Sequence, residues 1–235
     1  MAIALLFIVF ALLLTLGVPV AFALAAASLA TLLYLDLPSV VLVQQIQAGT
    51  GSASLIAIPL FIFAGEIMMR GGISERLIAL ASSLVGRMRG GLGQVSILSS
   101  LFFGGVSGSA IADVSAVGGT MIPQMVKRGY DRDFAVNVSI TAALVALLVP
   151  PSHNLILFSA AAGGGLSIAR LFAAGIMPAL LMTVALMATC YVVARYRGYG
   201  TESFPGWRAV TVRLVSALPG LGLVALIFIG IRAGI

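Results

Sequence analysis

Residues 91–127, GLGQVSILSSLFFGGVSGSAIADVSAVGGTMIPQMVK, constrain the fold more than any other part of the chain. They read as two apolar half-helices, 92–106 and 110–126, meeting at Gly104-Gly105-Val106-Ser107-Gly108-Ser109. Each half, at 1.5 Å per residue, is only about 22–26 Å long. That is short of the ~30 Å hydrocarbon core of a bilayer, so neither half is expected to span it. Basic residues bracket the stretch, Arg87 and Arg89 before it and Lys127, Arg128 and Arg132 after it. Short helices with like-charged outer ends and a Gly/Ser tip predict a re-entrant hairpin that enters and leaves on one face. Irregular backbone at such depth is tolerated only where it lines protein or a wet cavity. The tip is therefore the first candidate for a functional site.

The rest of the composition agrees with a bilayer as solvent. The chain is 61% hydrophobic and only 9% charged, where a soluble domain carries about 25% charged residues. This implies an all-α polytopic membrane protein. The net charge of +6 is not a nucleic-acid footprint, because the cations sit in short loops and form no basic run interleaved with aromatics. Cys190 is the single cysteine, which leaves no disulfide framework or cysteine metal site. The N-terminus lacks a charged leader region and reads as a retained first span.

Taken in order, residues 2–35 form one apolar run with Gly17-Val18-Pro19 in its middle, expected to be a single tilted and bent span. Residues 37–48 turn polar at Gln44, Gln45 and Gln47 and read as a short interfacial helix. A second span, 53–70, carries Glu66 four residues before Arg70. Glu66 is either a paired charge at a helix end or a proton or ion ligand. Residues 73–88 have amphipathic spacing and are expected to lie at the surface. Beyond the hairpin, 134–162 is broken by Val149-Pro150-Pro151-Ser152, since consecutive prolines remove backbone donors and constrain what precedes them. An AGGGLS turn (162–167) leads to a span over 169–194, a basic stretch 195–213, and a last apolar run 214–231. Loops 87–91, 127–132 and 195–213 are basic while 163–170 holds only Arg170, so the hairpin is expected to open from the cytoplasm.

Two interruptions, 104–109 and 149–152, thus fall in adjacent membrane elements, both near mid-bilayer by residue count. Discontinuous helices bring positive helix ends and bare carbonyls to one place, as secondary transporters do to hold anions and sodium. The candidate ion ligands are Ser107, Gly108, Ser109, Val149, Pro150 and Ser152, hard oxygen donors suited to sodium and not to a transition metal. Ser107, Ser109, Pro151, His153 and Asn154 are the candidate substrate contacts, with His153 expected to act chiefly by supporting hydrogen bonds. Asp113 is either a ligand or relay, or an acid that stabilises its helix dipole. The competing explanation of the Gly/Ser cluster is close helix packing.

The motifs FxxGVSGSAIAD (102–113), IPLFIFAGEIMMRGG (58–72), VPPS (149–152) and LSIARLFAAGIMPALL (166–181) resemble the large membrane subunit of tripartite ATP-independent periplasmic (TRAP) transporters. The resemblance runs through nearly the whole chain in order. It implies one half of an elevator-type permease of the ion-transporter superfamily, in a bacterial inner membrane, importing carboxylates such as dicarboxylates or sugar acids with sodium. It also implies a small membrane subunit, a periplasmic solute-binding protein and no cofactor beyond the coupling sodium. On this reading 1–88 are scaffold and arm helices, and 89–165 are half of a transport domain. Residues 166–235 are the following spans, the last of them opening a second, inverted half. The motif match places the first sodium site at Ser107-Gly108-Ser109 and Val149-Pro150-Pro151-Ser152, with half of the substrate pocket beside it. His153-Asn154 stand where many relatives carry apolar residues.

Two other classes are weighed against this. Gly105-Val106-Ser107-Gly108 matches the GxSG of rhomboid-like intramembrane serine proteases, which would require a Ser107–His153 dyad. A purely structural or assembly subunit would show no response to cations.

Overall fold

The computed structural model describes residues 1–51, 53–162 and 166–233, and every described element is helical. The chain falls into two compact units, Met1–Ile56 and Ala57–Ile235.

In the first unit, α1 (Ala2–Thr15) and α2 (Val20–Tyr34) are separate helices packed on one another. The single bent span expected for 2–35 is therefore a helical hairpin. Gly17 takes φ +78°, and the amides of Gly17 and Val18 bond back to the carbonyls of Leu14 and Leu13. This left-handed cap satisfies the last carbonyls of α1, and Pro19, at φ −55° and ψ 140°, starts α2 in a new direction. Ala23, Ala27 and Thr31, spaced by four, form the buried stripe of α2. Helix α3 (Val40–Thr50) follows, close to the interfacial helix expected there.

The second unit is organised around α6 (Gly91–Ser107), nearly all of which is buried. Helices α5 (Ile73–Val85), α9 (Arg132–Ala146), α11 (Ile168–Arg197) and α12 (Trp207–Ala233) pack against it. Phe103, Val95 and Ile97 of α6 share a core with Leu77 and Leu80 of α5 and with Met121 and Met125 further along the chain. The apolar stripe of α5 packs on α6 and α12, while Glu75, Arg76 and Leu84 are exposed, so the helix has the amphipathic division expected for 73–88. Spacing identified the stripe, but what covers it includes α12, far along the chain. Close approach of α6 to α9 depends on Gly104, where an added Cβ would lie 2.6 Å from the Cα of Ala146.

Past the tip, α7 (Ala110–Asp113), a π-helical turn (Val114–Gly118) and α8 (Gly119–Lys127) run on without a break. This second limb of the hairpin folds back along α6, and the Ser100 hydroxyl donates to Asp113 Oδ2 at 2.6 Å. Helices α9 and α10 (His153–Ala161) are separated at the predicted break, where the Pro150–Pro151 bond is cis. Residues 163–165 of the AGGGLS turn lie outside the described residues. Two described helices, α11 and α12, are long and apolar enough to cross a membrane. Helix α4 (Ala53–Arg70) carries Glu66 bonded to Arg70 at 3.0 Å.

At the opposite end of the hairpin, the basic loops converge. Gly90 N–H donates to the Gly200 carbonyl at 3.2 Å, and Glu202 N–H to that of Gly86 at 2.9 Å. Tyr199 donates to Asp131 Oδ2 at 2.8 Å, and Arg197 pairs with the same carboxylate. The Tyr199 hydroxyl and then the Arg197 guanidinium hold Asp131 below the ordinary carboxylate range.

Two substitutions test this packing. Gly104→Val should lower stability by roughly 1–3 kcal/mol through overpacking, a drop of several degrees in thermal unfolding in detergent, because a backbone atom faces the new side chain. Gly119→Ala, with nothing within 4 Å of its Cβ position, should be neutral or slightly stabilising. Asp131→Asn tests the loop end. A depressed carboxylate contributes stability above its unfolded pKa and loses it as pH falls through the folded one. The small gap in melting temperature between parent and variant should be present at pH 7 and close on acidification; a gap constant with pH would refute the assignment.

Candidate functional site

The two interruptions meet backbone to backbone. Helix α6 ends at Ser107, and Gly108 takes φ +58° with its amide bonded to the Gly104 carbonyl at 2.8 Å. A Cβ built on Gly108 would fall onto the Pro151 carbonyl and lie 3.0 Å from the Cα of Ser152. No other residue type supplies both the left-handed backbone and the missing atom. Two residues on, Ser109 is extended and caps α7, its Oγ accepting from the Ala112 amide at 3.4 Å. Ser107 Oγ accepts from the Ser109 amide, also at 3.4 Å. Both hydroxyls thus sit at the tip with long, weak backbone partners.

On the other side, the amides of Leu147, Leu148 and Val149 still serve the carbonyls of Leu144 and Val145, but the prolines offer no N–H to Ala146 or Leu147. Pro151 has no N–H to offer Leu147, and the Ser152 hydroxyl takes its place, donating to the Leu147 carbonyl at 2.5 Å. Ser152 is fully buried and closes the broken helix end. That role was not separable in sequence from ligation.

A cleft of about 470 Å³ opens beside the tip, lined on its polar side by Glu66, Ser107, Ser109, Ser115 and His153. Of the sequence-predicted residues, the structure brings Ser107, Ser109, His153 and Glu66 to this cleft. Gly108, Pro151 and Ser152 form the contact beneath it. Val149 and Pro150 instead line a separate apolar pocket with Leu101, Ile176 and Leu180. Asn154 is exposed and lines neither. Asp113 is buried behind the tip, with Oδ2 bonded to Ser100 and Oδ1 without a partner. His153 Nε2 likewise has no partner, and no hydrogen bond joins it to Ser107. The base–nucleophile pair that a serine protease needs is not formed.

Gly65 and Ser115 also line the cleft and were not singled out in the sequence. Gly65 brings α4 against the tip, its Cβ position 3.7 Å from the Ser107 Cα. That distance is ordinary van der Waals contact, so the glycine is not demanded by space and gave no signal of the site. Ser115 falls in the π-helical turn, which residue type alone does not announce.

The family model of the tripartite ATP-independent periplasmic transporter, DctM component, matches residues 7–235. The chain is 38% identical, over all of its own length and 52% of the relative's, to the C4-dicarboxylate TRAP transporter large permease protein DctM of Vibrio cholerae. It is 36% identical to the 2,3-diketo-L-gulonate TRAP transporter large permease protein YiaN of Escherichia coli, covering 93% of this chain and 51% of that one. The ectoine TRAP transporter large permease protein TeaC of Halomonas elongata is 41% identical, over 83% of this chain and 45% of its own. The chain spans about half the length of these curated relatives. It belongs to the DctM family of TRAP transporter large permeases, a family of transport proteins and not of enzymes.

Proposed function

We propose that this chain forms the tip-and-break half of an elevator-type, sodium-coupled importer of carboxylate solutes in a bacterial inner membrane. Its partners are a small membrane subunit and a periplasmic binding protein that delivers the solute. The observation that carries the reading is the seating of Gly108 on the Pro151 carbonyl. It holds a helix end, an extended Ser109 and a proline-broken helix at one point, the arrangement in which transporters hold ions and substrates.

Sodium is cargo in this scheme. The hydroxyls of Ser107 and Ser109 and nearby backbone carbonyls are its hard oxygen donors. A carboxylate is then attracted by the ion and by the positive start of the helix that Ser109 caps. His153, which lines the same cleft, orients the solute by hydrogen bonding. Relatives named for C4-dicarboxylate and for 2,3-diketo-L-gulonate make a carboxylate the first choice of solute. Glu66, held by Arg70, faces the cleft from α4 as a paired charge. Asp113 fixes the two limbs of the hairpin to one another through Ser100. Re-entry of the hairpin from the cytoplasmic side follows from the basic loops at its base.

The test is a melting curve of the assembled permease in sodium against potassium. At ten times Kd, sodium should add about 1.4 kcal/mol, a shift of roughly 2–4 °C per kcal/mol for a chain of this size. Ser107→Ala with Ser109→Ala should abolish the sodium-specific part. Equal curves in the two salts would refute the coupling, and a shift that survives the double substitution would refute the site.

A further inference from the structure

The basic loop end holds a second pocket, unrelated to the tip. It has a volume of about 270 Å³ and is lined by Ser82, Leu92, Gln124, Lys127, Arg128 and Glu202. At about 30 Å³ per water, that is room for roughly nine water molecules, enough for a phosphodiester and a short polar substituent. The walls are held by main-chain bonds, Glu202 N–H to the Gly86 carbonyl at 2.9 Å and Gly90 N–H to the Gly200 carbonyl at 3.2 Å. Arg128 reaches Glu202 at 3.1 Å. Lys127 is paired with no carboxylate among the described residues. Two cations and one carboxylate leave one positive charge, and Ser82 and Gln124 add neutral hydrogen-bonding groups.

The pocket also has a definable depth. Its wall, residues 198–206, links the end of α11 to the start of α12, the two described helices long enough to cross a membrane. Aromatic side chains flank that link on the outside. Tyr196 is 87% and Trp207 74% exposed, Phe204 meets Trp207 edge-on at 5.6 Å, and the Arg87 guanidinium lies 5.5 Å from the Phe204 ring. Exposed Tyr and Trp beside cations at the ends of apolar helices mark the headgroup layer of a bilayer.

We propose that this pocket binds the phosphodiester headgroup of an anionic phospholipid, with Lys127 as its principal cation and Gln124 and Ser82 as hydrogen-bonding partners. Basic pockets between membrane helices on the cytoplasmic side are suited to such headgroups. Arg128, already bonded to Glu202, sets the shape of the pocket and contributes less charge to the ligand. The inference rests on α11 and α12 crossing a bilayer and is independent of which solute is carried.

The experiment is native mass spectrometry of the purified protein in neutral detergent with equal amounts of phosphatidylglycerol and phosphatidylcholine. Phosphatidylglycerol should be retained preferentially. The preference should fall about five-fold in Lys127→Gln and about thirty-fold in Lys127→Glu, from the worth of one cation near an anionic headgroup. Arg170→Gln, a cation on α11 outside the pocket, should leave it unchanged. Should Lys127→Glu fail to fold, the milder Lys127→Gln and a Gln124→Ala variant, both at exposed positions, carry the reading. Equal retention of the two lipids by the parent would overturn the proposal, as would a preference left undiminished by Lys127→Gln. Displacement of the lipid by millimolar inorganic phosphate would also overturn it, making this a soluble-anion site. A lipid-blind protein that still melts higher in sodium would sink this inference and leave the transport reading standing.

Discussion

The structure of the second unit depends on one contact between two stretches of bare backbone, the tip of a helical hairpin and the corner of a proline-broken helix. Side chains do not mediate it. Gly108 contributes a left-handed residue and the absence of a Cβ, and the Pro151 carbonyl lies where that Cβ would fall. Interactions of this kind are intolerant in a specific way: a single methyl group has nowhere to go. The helix that leads to the tip, α6, is buried along nearly its whole length by α5, α9, α11 and α12.

This geometry separates two roles that serine plays near the break. Ser152 spends its hydrogen on Leu147 and repairs a helix end inside the protein. Ser107 and Ser109 accept long bonds from amides and face the cleft. The first kind of serine stabilises the fold, and the second keeps its hydroxyl at the wall of the cleft. The same distinction applies to the two acids. Glu66 is neutralised by its helical neighbour at the cleft edge, and Asp113 is enclosed behind the tip with one oxygen committed to Ser100.

Much of this was legible in the residues, and the reason is range. The half-length helices, the Gly/Ser tip and the Pro-Pro corner are signals carried within five to twenty residues, and the bounds of the hairpin fall within a few positions of those expected, whereas α12 starts at Trp207, inside the stretch read as a basic loop. What failed required knowledge of distant partners. Gly17-Val18-Pro19 reads equally as a kink or as a turn, and only the packing of Ala23 and Ala27 selects the turn. The stripe on α5 was evident, whereas its cover, α6 and α12, was not. Of the cleft residues, Ser107, Ser109 and His153 were found because they sit at backbone breaks. Gly65 and Ser115 escaped because each lies within an unbroken run. Asn154 was drawn in by adjacency to His153, but one residue along a helix is a rotation of about 100°.

That same rotation gives the π-helical turn at Val114–Gly118 its meaning. A wide turn accommodates one residue more than an α-helical turn, so everything beyond it is re-indexed around the helix axis. Asp113, before the turn, answers to Ser100. Met121 and Met125, after it, fill the core. The two ends of one helix can therefore satisfy different neighbours without compromise. The hairpin's second limb works as a pair of independently aligned segments joined by a built-in phase shift.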